Sequence, residues 1–592
     1  MNEIRQRLKA LRMELLKRNL DAWYISGTDP HASEYLPEMW QTRKYISGFS
    51  GSYGVVVVAQ EEAALWTDSR YFIQAEDQLK GSGFKMFKLR VPDVLSPEEW
   101  LARKLSTGSK VGFDPQTVSI ACYRNLEQCL QKNGIIPVET PDLFEKIWDN
   151  RPELPANMLF ELSNRYTGLS RKEKRELVVA ELKKKNADYQ VITSLDELAW
   201  FFNLRGSDIA YNPVFVGYGI IGKKESTLFV DQAKVPAEVK LQFEKEKISL
   251  LSYDLFFSWL KSVRGRKIFM DPSSVSYAVY NLLQADNKII EGASVIALLK
   301  MRKNQTELNG FREAMKKDGV AIIEFLFWLQ EYIGKDTITE YTAGKKLAEL
   351  RSRQKNFIGE SFAPITGYKD HGAIVHLGVD EQNALKLEPE GILLFDSGGQ
   401  YFEGTTDITR TVALGKVSHQ EITDFTLVLK GMIALSMAKF PAGTKGCNID
   451  VLARIALWQN GLNYGHGTGH GVGHFLNVHE GPVTVRQELN EMPLQTGMVL
   501  SNEPGLYRTG MYGIRIENMI ACVEMEENEF GHFLGFETLT LCPIDARLID
   551  VRLMTREELA WLNAYHQRVR KELKPLVRAE LTEFLEELTQ EI

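Results

Sequence analysis

KVGFDPQTVSIACYRNL occupies residues 110–126, and KIFMDPSSVSYAVYNLL occupies residues 267–283. At one constant offset the two stretches share Asp114/Asp271, Pro115/Pro272, Val118/Val275, Ser119/Ser276, Ala121/Ala278, Tyr123/Tyr280 and Leu126/Leu283. Seven identities in register mark an internal duplication, which governs every later assignment. Outward from these, LDAWYISGTD (20–29) aligns with ADYQVITSLD (187–196) through Asp21/Asp188, Ile25/Ile192 and Asp29/Asp196. LWTD (65–68) likewise resembles LFVD (228–231).

Each copy alternates. A helical stretch leads to an apolar strand, AWYIS (22–26) or YQVIT (189–193), then to GVVVVA (54–59) or STLFV (226–230), then to helix and strand again. That order predicts two α/β domains. RPELPANM (151–158), with Pro152 and Pro155, predicts a linker between them. Asp114-Pro115 and Asp271-Pro272 follow apolar strands and predict strand-ending turns that cap the next helix, not a chemical site in each copy. From about Leu298 the repeat has no partner. LLKMRKNQTELNGFREAMKKDGVAIIEFLFWL (298–329) sets Phe311, Met315, Val320 and Ile323 at helical spacing. The expected division is 1–155, 156–300 and 301–592, in an α/β (α+β) chain.

Hydrophobic residues make up 44% of the chain and charged residues 25%, enough for large cores. A net charge of −7, with no dominant basic stripe, argues against nucleic acid as the main partner. The five cysteines, Cys122, Cys129, Cys447, Cys522 and Cys542, form no CxxC pair and read as free thiols of a reducing compartment. MNEIRQRLKALRMELLKRNL lacks the apolar core of a signal peptide. The run Val55 to Ala59 is far below the roughly 18 apolar residues of a membrane span. A cytoplasmic protein without a membrane partner is expected.

Seven of the ten histidines lie between His371 and His479, so chemistry is sought there. GILLFDSGGQYFEGTTDITRTVALG (391–415) reads as two β-rich runs around a Gly-rich middle. A hairpin turning near Tyr401 and Phe402 would set Asp396 opposite Asp407, and two carboxylates that close repel unless they share a proton or a cation. HGTGHGVGHFLNVHEGP (466–482) places four histidines among five glycines. The glycines disfavour helix and let backbone approach a ligand, so His466 and His470 are not a helical zinc pair; no HExxH exists. In VLSNEPGLYRTGMYGIRIENMIACVE (499–524), Glu503 ends an apolar run. Arg515 and Glu517 share one face of a strand and Ile514 and Ile516 the other, so Glu517 points inward, where an unpaired charge is costly. Four carboxylates and one imidazole form a hard, oxygen-rich set that favours manganese or cobalt over thiolate-type zinc. That is enough to bridge two ions.

DSGGQYFEGTTDITRT, HGTGHGVGHFLNVHEGP and EPGLY…GIRIEN resemble the pita-bread metallopeptidases, the family of aminopeptidase P, prolidase and methionine aminopeptidase. Within it the chain is most similar to the three-domain cytosolic Xaa-Pro aminopeptidases, and DPHASEY, SGFSGSYG and LWTDSRYF extend the likeness to the N-terminus. The resemblance implies two tandem creatinase-N or ribonuclease H-like domains ahead of a pita-bread catalytic domain. It implies that Asp396 binds one metal, that Asp407 and Glu517 bridge both, and that His470 and Glu503 bind the other. Glu503 would also shuttle protons, His376 and His479 would contact substrate, and His466, Tyr507 and Arg515 would orient it or support the ligands. His474 is extra to the pattern and reads as structural. Two divalent ions per chain are implied, manganese first, with cobalt or zinc as alternatives. The implied reaction is attack of a metal-bound hydroxide on the bond between any N-terminal residue and a following proline, in a homodimer.

Four other readings compete. A prolidase shares the five ligands but cuts only dipeptides, and the duplicated N-terminal half argues against it. Methionine aminopeptidase is disfavoured by chain length, and creatinase by its lack of the ligands. A non-catalytic scaffold would lose ligands first, and all five are present here.

Overall fold

Two six-stranded sheets of identical topology carry the duplicated sequence. The first runs Phe84–Lys88, Ala63–Thr67, Val55–Ala59, Ala22–Ile25, Lys110–Phe113, Ile136–Glu139. The second runs Ile248–Leu251, Ser226–Phe229, Tyr218–Gly222, Tyr189–Ile192, Lys267–Met270, Lys288–Glu291. In both, the two hairpin pairings are antiparallel and the other three parallel. Their central strands are buried throughout, which is why they read as unbroken apolar runs.

The computed structural model describes residues 2–592. It divides into one unit of residues 2–162 and Leu169–Ala297, holding both sheets, and a second of Ser163–Gly168 and Leu298–Ile592. No regular element lies between residues 151 and 159, the expected linker.

Asp114 and Asp271 do close turns, accepting from Gln116 N at 2.9 Å and Ser273 N at 2.8 Å. They do not cap the following helix; Ser119 does, accepting from Cys122 N at 3.2 Å. The segments instead join the two copies with near two-fold symmetry. Ile120 N donates to Val275 O and Tyr277 N to Val118 O; Ala121 N donates to Pro272 O and Ala278 N to Pro115 O. Tyr123 and Tyr277 stack with centroids 3.7 Å apart, while Arg124 pairs with Glu291 and Asn281 bonds Glu139. The repeat was thus preserved where the copies satisfy each other's backbone groups.

In the second unit, helix Gln305–Tyr332 starts at Asn304, whose side chain accepts from Thr306 N and Glu307 N while Glu307 bonds back. Phe311, Met315, Val320 and Ile323 are buried, as their spacing predicts. Each such fully buried apolar side chain contributes about 1.5–3 kcal/mol. Ile365–Tyr368, Ile392–Ser397 and Ile408–Ala413 form an antiparallel three-stranded sheet. A six-stranded sheet runs Phe440–Pro441, Gly531–Thr538, Asn518–Asn528, Val499–Asn502, Gly469–Gly471, Glu480–Val485. Helices His419–Ser436 and Gly446–Trp458 pack together and against these strands. All five cysteines are free thiols. Among the described residues, no helix is long and apolar enough to cross a membrane.

Candidate metal centre

Each of the five expected ligands lies in a strand or one residue outside one. Asp396 is in Ile392–Ser397 and His470 in Gly469–Gly471; Asp407 immediately precedes Ile408–Ala413, Glu503 follows Val499–Asn502, and Glu517 precedes Asn518–Asn528. Strands hold such positions more rigidly than loops.

The hairpin turns one residue later than expected, which shifts the pairing by two residues. Asp396 pairs directly with Thr409, and Gln400 with Thr405, so the turn is Phe402–Glu403. Asp407 is therefore the diagonal neighbour of Asp396, still within reach. The ladder is interrupted at Gly398, where an added Cβ would stand 1.9 Å from the Thr406 carbonyl. Glu517 also departs from expectation, lying in the gap between strands Tyr512–Arg515 and Asn518–Asn528. The predicted face is kept, because Ile514 and Ile516 enter the core while Thr409 bridges Arg515 and Glu517.

His470 is aimed by backbone. Its Nδ1 lies 2.9 Å from Gly471 O, a group that only accepts, so Nδ1 donates there and Nε2 is the nitrogen turned toward the carboxylates. Nε2 stands 3.5 Å from Asp407 Oδ2 and 3.5 Å from Glu503 Oε1. Ser501 ties the neighbours, accepting from His470 N at 3.0 Å and donating to Glu503 Oε1 at 3.2 Å. Gly469 permits this closeness, since a Cβ there would meet Ser501 O at 2.0 Å.

A chain of polar contacts then leads outward. Thr409 Oγ1 donates to Glu517 Oε2 at 2.9 Å and accepts from Arg515 Nε at 3.1 Å. Arg515 Nη2 donates to Asp396 Oδ2 at 2.5 Å and Nη1 to Tyr507 OH at 2.7 Å. His466 Nε2 lies 2.8 Å from the same hydroxyl. The His479 ring meets His470 edge-on at 4.4 Å. His376 lies on a segment whose Ile374, Leu377 and Val379 pack with Tyr507. His474 is buried edge-on to Phe311 at 5.5 Å, away from the ligands' bonds, as a structural residue would be.

The electrostatics suit a cation. Burial, then the charges of Asp396 and Glu503, push Asp407 well above the usual carboxylate range. Burial and the charges of Asp407, Glu503 and Asp396 do the same to Glu517. Desolvation lifts Glu503 to about 7, with Arg515 pulling against it. Asp396 Oδ1 and Glu517 Oε1 are buried with no hydrogen-bond partner among the described residues. Ligand atoms of Asp407, His470 and Glu517 lie within 4.8 Å of one another. Carboxylate and imidazole ligand atoms this close, together with buried carboxylate oxygens that have no protein donor, suit a divalent ion, so the residues fit the metal that the donor set implies.

Two supporting residues were not foreseen, Thr409 and Ser501. Each lies two positions from a ligand, Asp407 or Glu503, and so on the same side of an extended chain. Asp450 and Arg454 are a further pair. Arg454 donates to the Tyr464 and His466 carbonyls while Asp450 accepts from Thr468, anchoring the stretch before His470.

Family models match nearly the whole chain: the creatinase/prolidase N-terminal domain over residues 7–147 and again over 150–307, metallopeptidase family M24 over 309–524, and the C-terminal region of peptidase M24 over 532–592. A Botryotinia fuckeliana protein named "Probable Xaa-Pro aminopeptidase P" is 41% identical, covering 97% of this chain and 90% of its own length. Xaa-Pro aminopeptidase 1 of Dictyostelium discoideum is 39% identical over 97% of this chain and 94% of its own. The crystal structure of X-prolyl aminopeptidase from Caenorhabditis elegans, described as a cytosolic enzyme with a di-nuclear active site, is 36% identical with a TM-score of 0.95, covering 99% of each chain. The creatinase-type N-terminal domains and pita-bread catalytic fold implied by the sequence are those present. The chain belongs to metallopeptidase family M24 and, within it, to the Xaa-Pro aminopeptidases.

Proposed function

We propose that this chain removes the N-terminal residue from peptides with proline at position two, using two divalent ions that Asp396, Asp407, His470, Glu503 and Glu517 would hold. The observation that carries this reading is the grouping of ligand atoms of Asp407, His470 and Glu517 within 4.8 Å of one another, with Asp396 Oδ1 and Glu517 Oε1 buried and unpartnered. The oxygen-rich donors favour manganese, with cobalt or zinc as alternatives. Two ions bound there would supply an activated water and a polarised substrate carbonyl.

The protein's own groups do the rest. Glu503 takes a proton at its carboxylate and returns it to the departing proline nitrogen. That nitrogen belongs to a tertiary amide and cannot leave unprotonated. His376 and His479 offer ring N–H groups to the carbonyl oxygen as it gains charge. Arg515 holds Asp396 in place, and Tyr507 joins Arg515 to His466. Chain division at 1–155, 156–300 and 301–592 belongs to this reading, supported by the two like sheets. A cytoplasmic setting belongs to it too, supported by full-length likeness to a cytosolic enzyme; a homodimer also belongs to it, and sedimentation velocity tests it. Apo protein reloaded with manganese is offered an Arg-Pro-Pro tripeptide and an Xaa-Pro dipeptide. Tripeptide cleavage after residue one is expected, whereas cleavage of the dipeptide alone would replace the reading with a prolidase.

A further inference from the structure

Glu340 opens helix Glu340–Ser352, and it is completely buried. A carboxylate so far from water needs donors to meet its charge. Tyr368 N donates to Oε1 at 2.7 Å and Leu385 N to Oε2 at 2.8 Å. His371 Nδ1 stands 2.8 Å from Oε2. Backbone reinforces the same junction: Glu340 N donates to Leu385 O at 3.0 Å, and Leu387 N to Ile338 O at 2.8 Å.

The two backbone donors are far apart in sequence but share one carboxylate. Between them runs a segment whose only regular element is the short turn Lys369–Ala373, and this segment carries His376. Its Leu377 forms one apolar cluster with Ile365 and Leu394, against which Ile374, Val379 and Tyr507 pack, so the loop shares its apolar support with the tyrosine that binds Arg515 and His466. Glu340 closes the base of the loop, and His371 joins the loop's first turn to that base. The hydrogen bond to Glu340 makes His371 hold its proton to higher pH than an ordinary histidine, with Asp370 adding to the effect. A charge-assisted bond of this kind is stronger than a neutral one.

We propose that Glu340 and His371 form a clasp that positions His376 for the Xaa-Pro substrate, acting through the loop they close. Both are positioning residues. The proposal rests on reading His376 as a group that faces substrate, and the test separates the two.

The test is a double-mutant cycle on the manganese-loaded enzyme with the Arg-Pro-Pro tripeptide. His376→Ala alone should lower kcat by about tenfold or more. His371→Ala, with metal content unchanged, should lower kcat by roughly fivefold in the native background and by less than about 1.5-fold in the His376→Ala background. His371→Asn, whose amide nitrogen can occupy the place of Nδ1, should restore kcat to within about twofold. Should the alanine variant not fold, His371→Gln replaces it. Equal losses in both backgrounds overturn the clasp. An unchanged kcat in His376→Ala overturns the role of His376. Amide exchange across residues 374–384 then decides the clasp alone: faster exchange in His371→Ala upholds it as a loop anchor, and unchanged exchange removes it.

Discussion

Arg515 Nη2 donates to Asp396 Oδ2 at 2.5 Å, and both side chains are buried. The same guanidinium reaches Thr409 and Tyr507, so a single cation braces one ligand directly and Glu517 through a hydroxyl. Because Asp396 Oδ2 is engaged, its other oxygen is turned free of protein donors.

Removing this brace should be costly. Arg515→Met leaves Asp396 buried without its partner, a change worth about 3–5 kcal/mol in comparable pairs. The expected result is loss of at least one ion by titration calorimetry and a drop in kcat/KM of two orders of magnitude or more. Arg515→Lys cannot reproduce three divergent donors and should recover little. Native metal stoichiometry in the methionine variant would contradict the account.

Glu503→Gln keeps shape and removes proton exchange. Turnover should fall by roughly 10²–10⁴, the usual contribution of a positioned acid–base group. Circular dichroism should be unchanged. Activity within a factor of two of native would show that another group moves the proton.

Without metal, the acid cluster should make stability depend on pH in a defined direction. Glu503 has its folded value raised to about 7 from an ordinary 4.5, and Asp407 and Glu517 are also raised. Between those values the folded chain binds more protons than the unfolded one. Stability is thus fully present below the ordinary carboxylate range and is lost as pH rises toward about 7 and beyond. Melting temperatures of chelated protein should fall across that window, and saturating manganese should flatten the fall. A chelated protein whose melting temperature rises across it would contradict the electrostatics.

Gly469→Ala tests the close packing around His470. Its Cβ would stand 2.0 Å from Ser501 O, so backbone must move. Overpacking of this kind costs about 1–3 kcal/mol. Denaturant unfolding should show that loss, with weaker metal binding beside it. Gly510, at φ 75° with open space around its Cβ position, is a control whose substitution strains backbone without touching the site.

The duplicated sheets were legible because their central strands are buried on both faces and write unbroken apolar runs, with the same residues at the same places. The candidate site was legible in part because an inward Glu517 beside Ile514 and Ile516 is too costly to leave unpaired. The hairpin register was not. Phe402-Glu403 carries no Asn-Gly or Asp-Gly signature to locate a two-residue turn, and a single-position error converts direct pairing into diagonal. Thr409 and Ser501 escaped notice because hydroxyls are common in strands and only three-dimensional proximity selects these two. The Asp-Pro segments looked like turns and are turns; their second role, joining the copies, depends on backbone pairs about 157 residues apart in sequence, a distance no local pattern records. Glu340 resembled any acidic residue in a helix's first turn, a place that favours such residues for the helix dipole alone.

The most direct measurement is metal content and product analysis on one sample. Chelated protein is reloaded with manganese, its ions are counted by mass spectrometry, and it is given an Arg-Pro-Pro tripeptide. The account predicts two ions per chain, release of free arginine with Pro-Pro as the other product, and loss of both the second ion and the cleavage in Glu517→Ala. Full cleavage by metal-free protein, or native ion binding in Glu517→Ala, would contradict it.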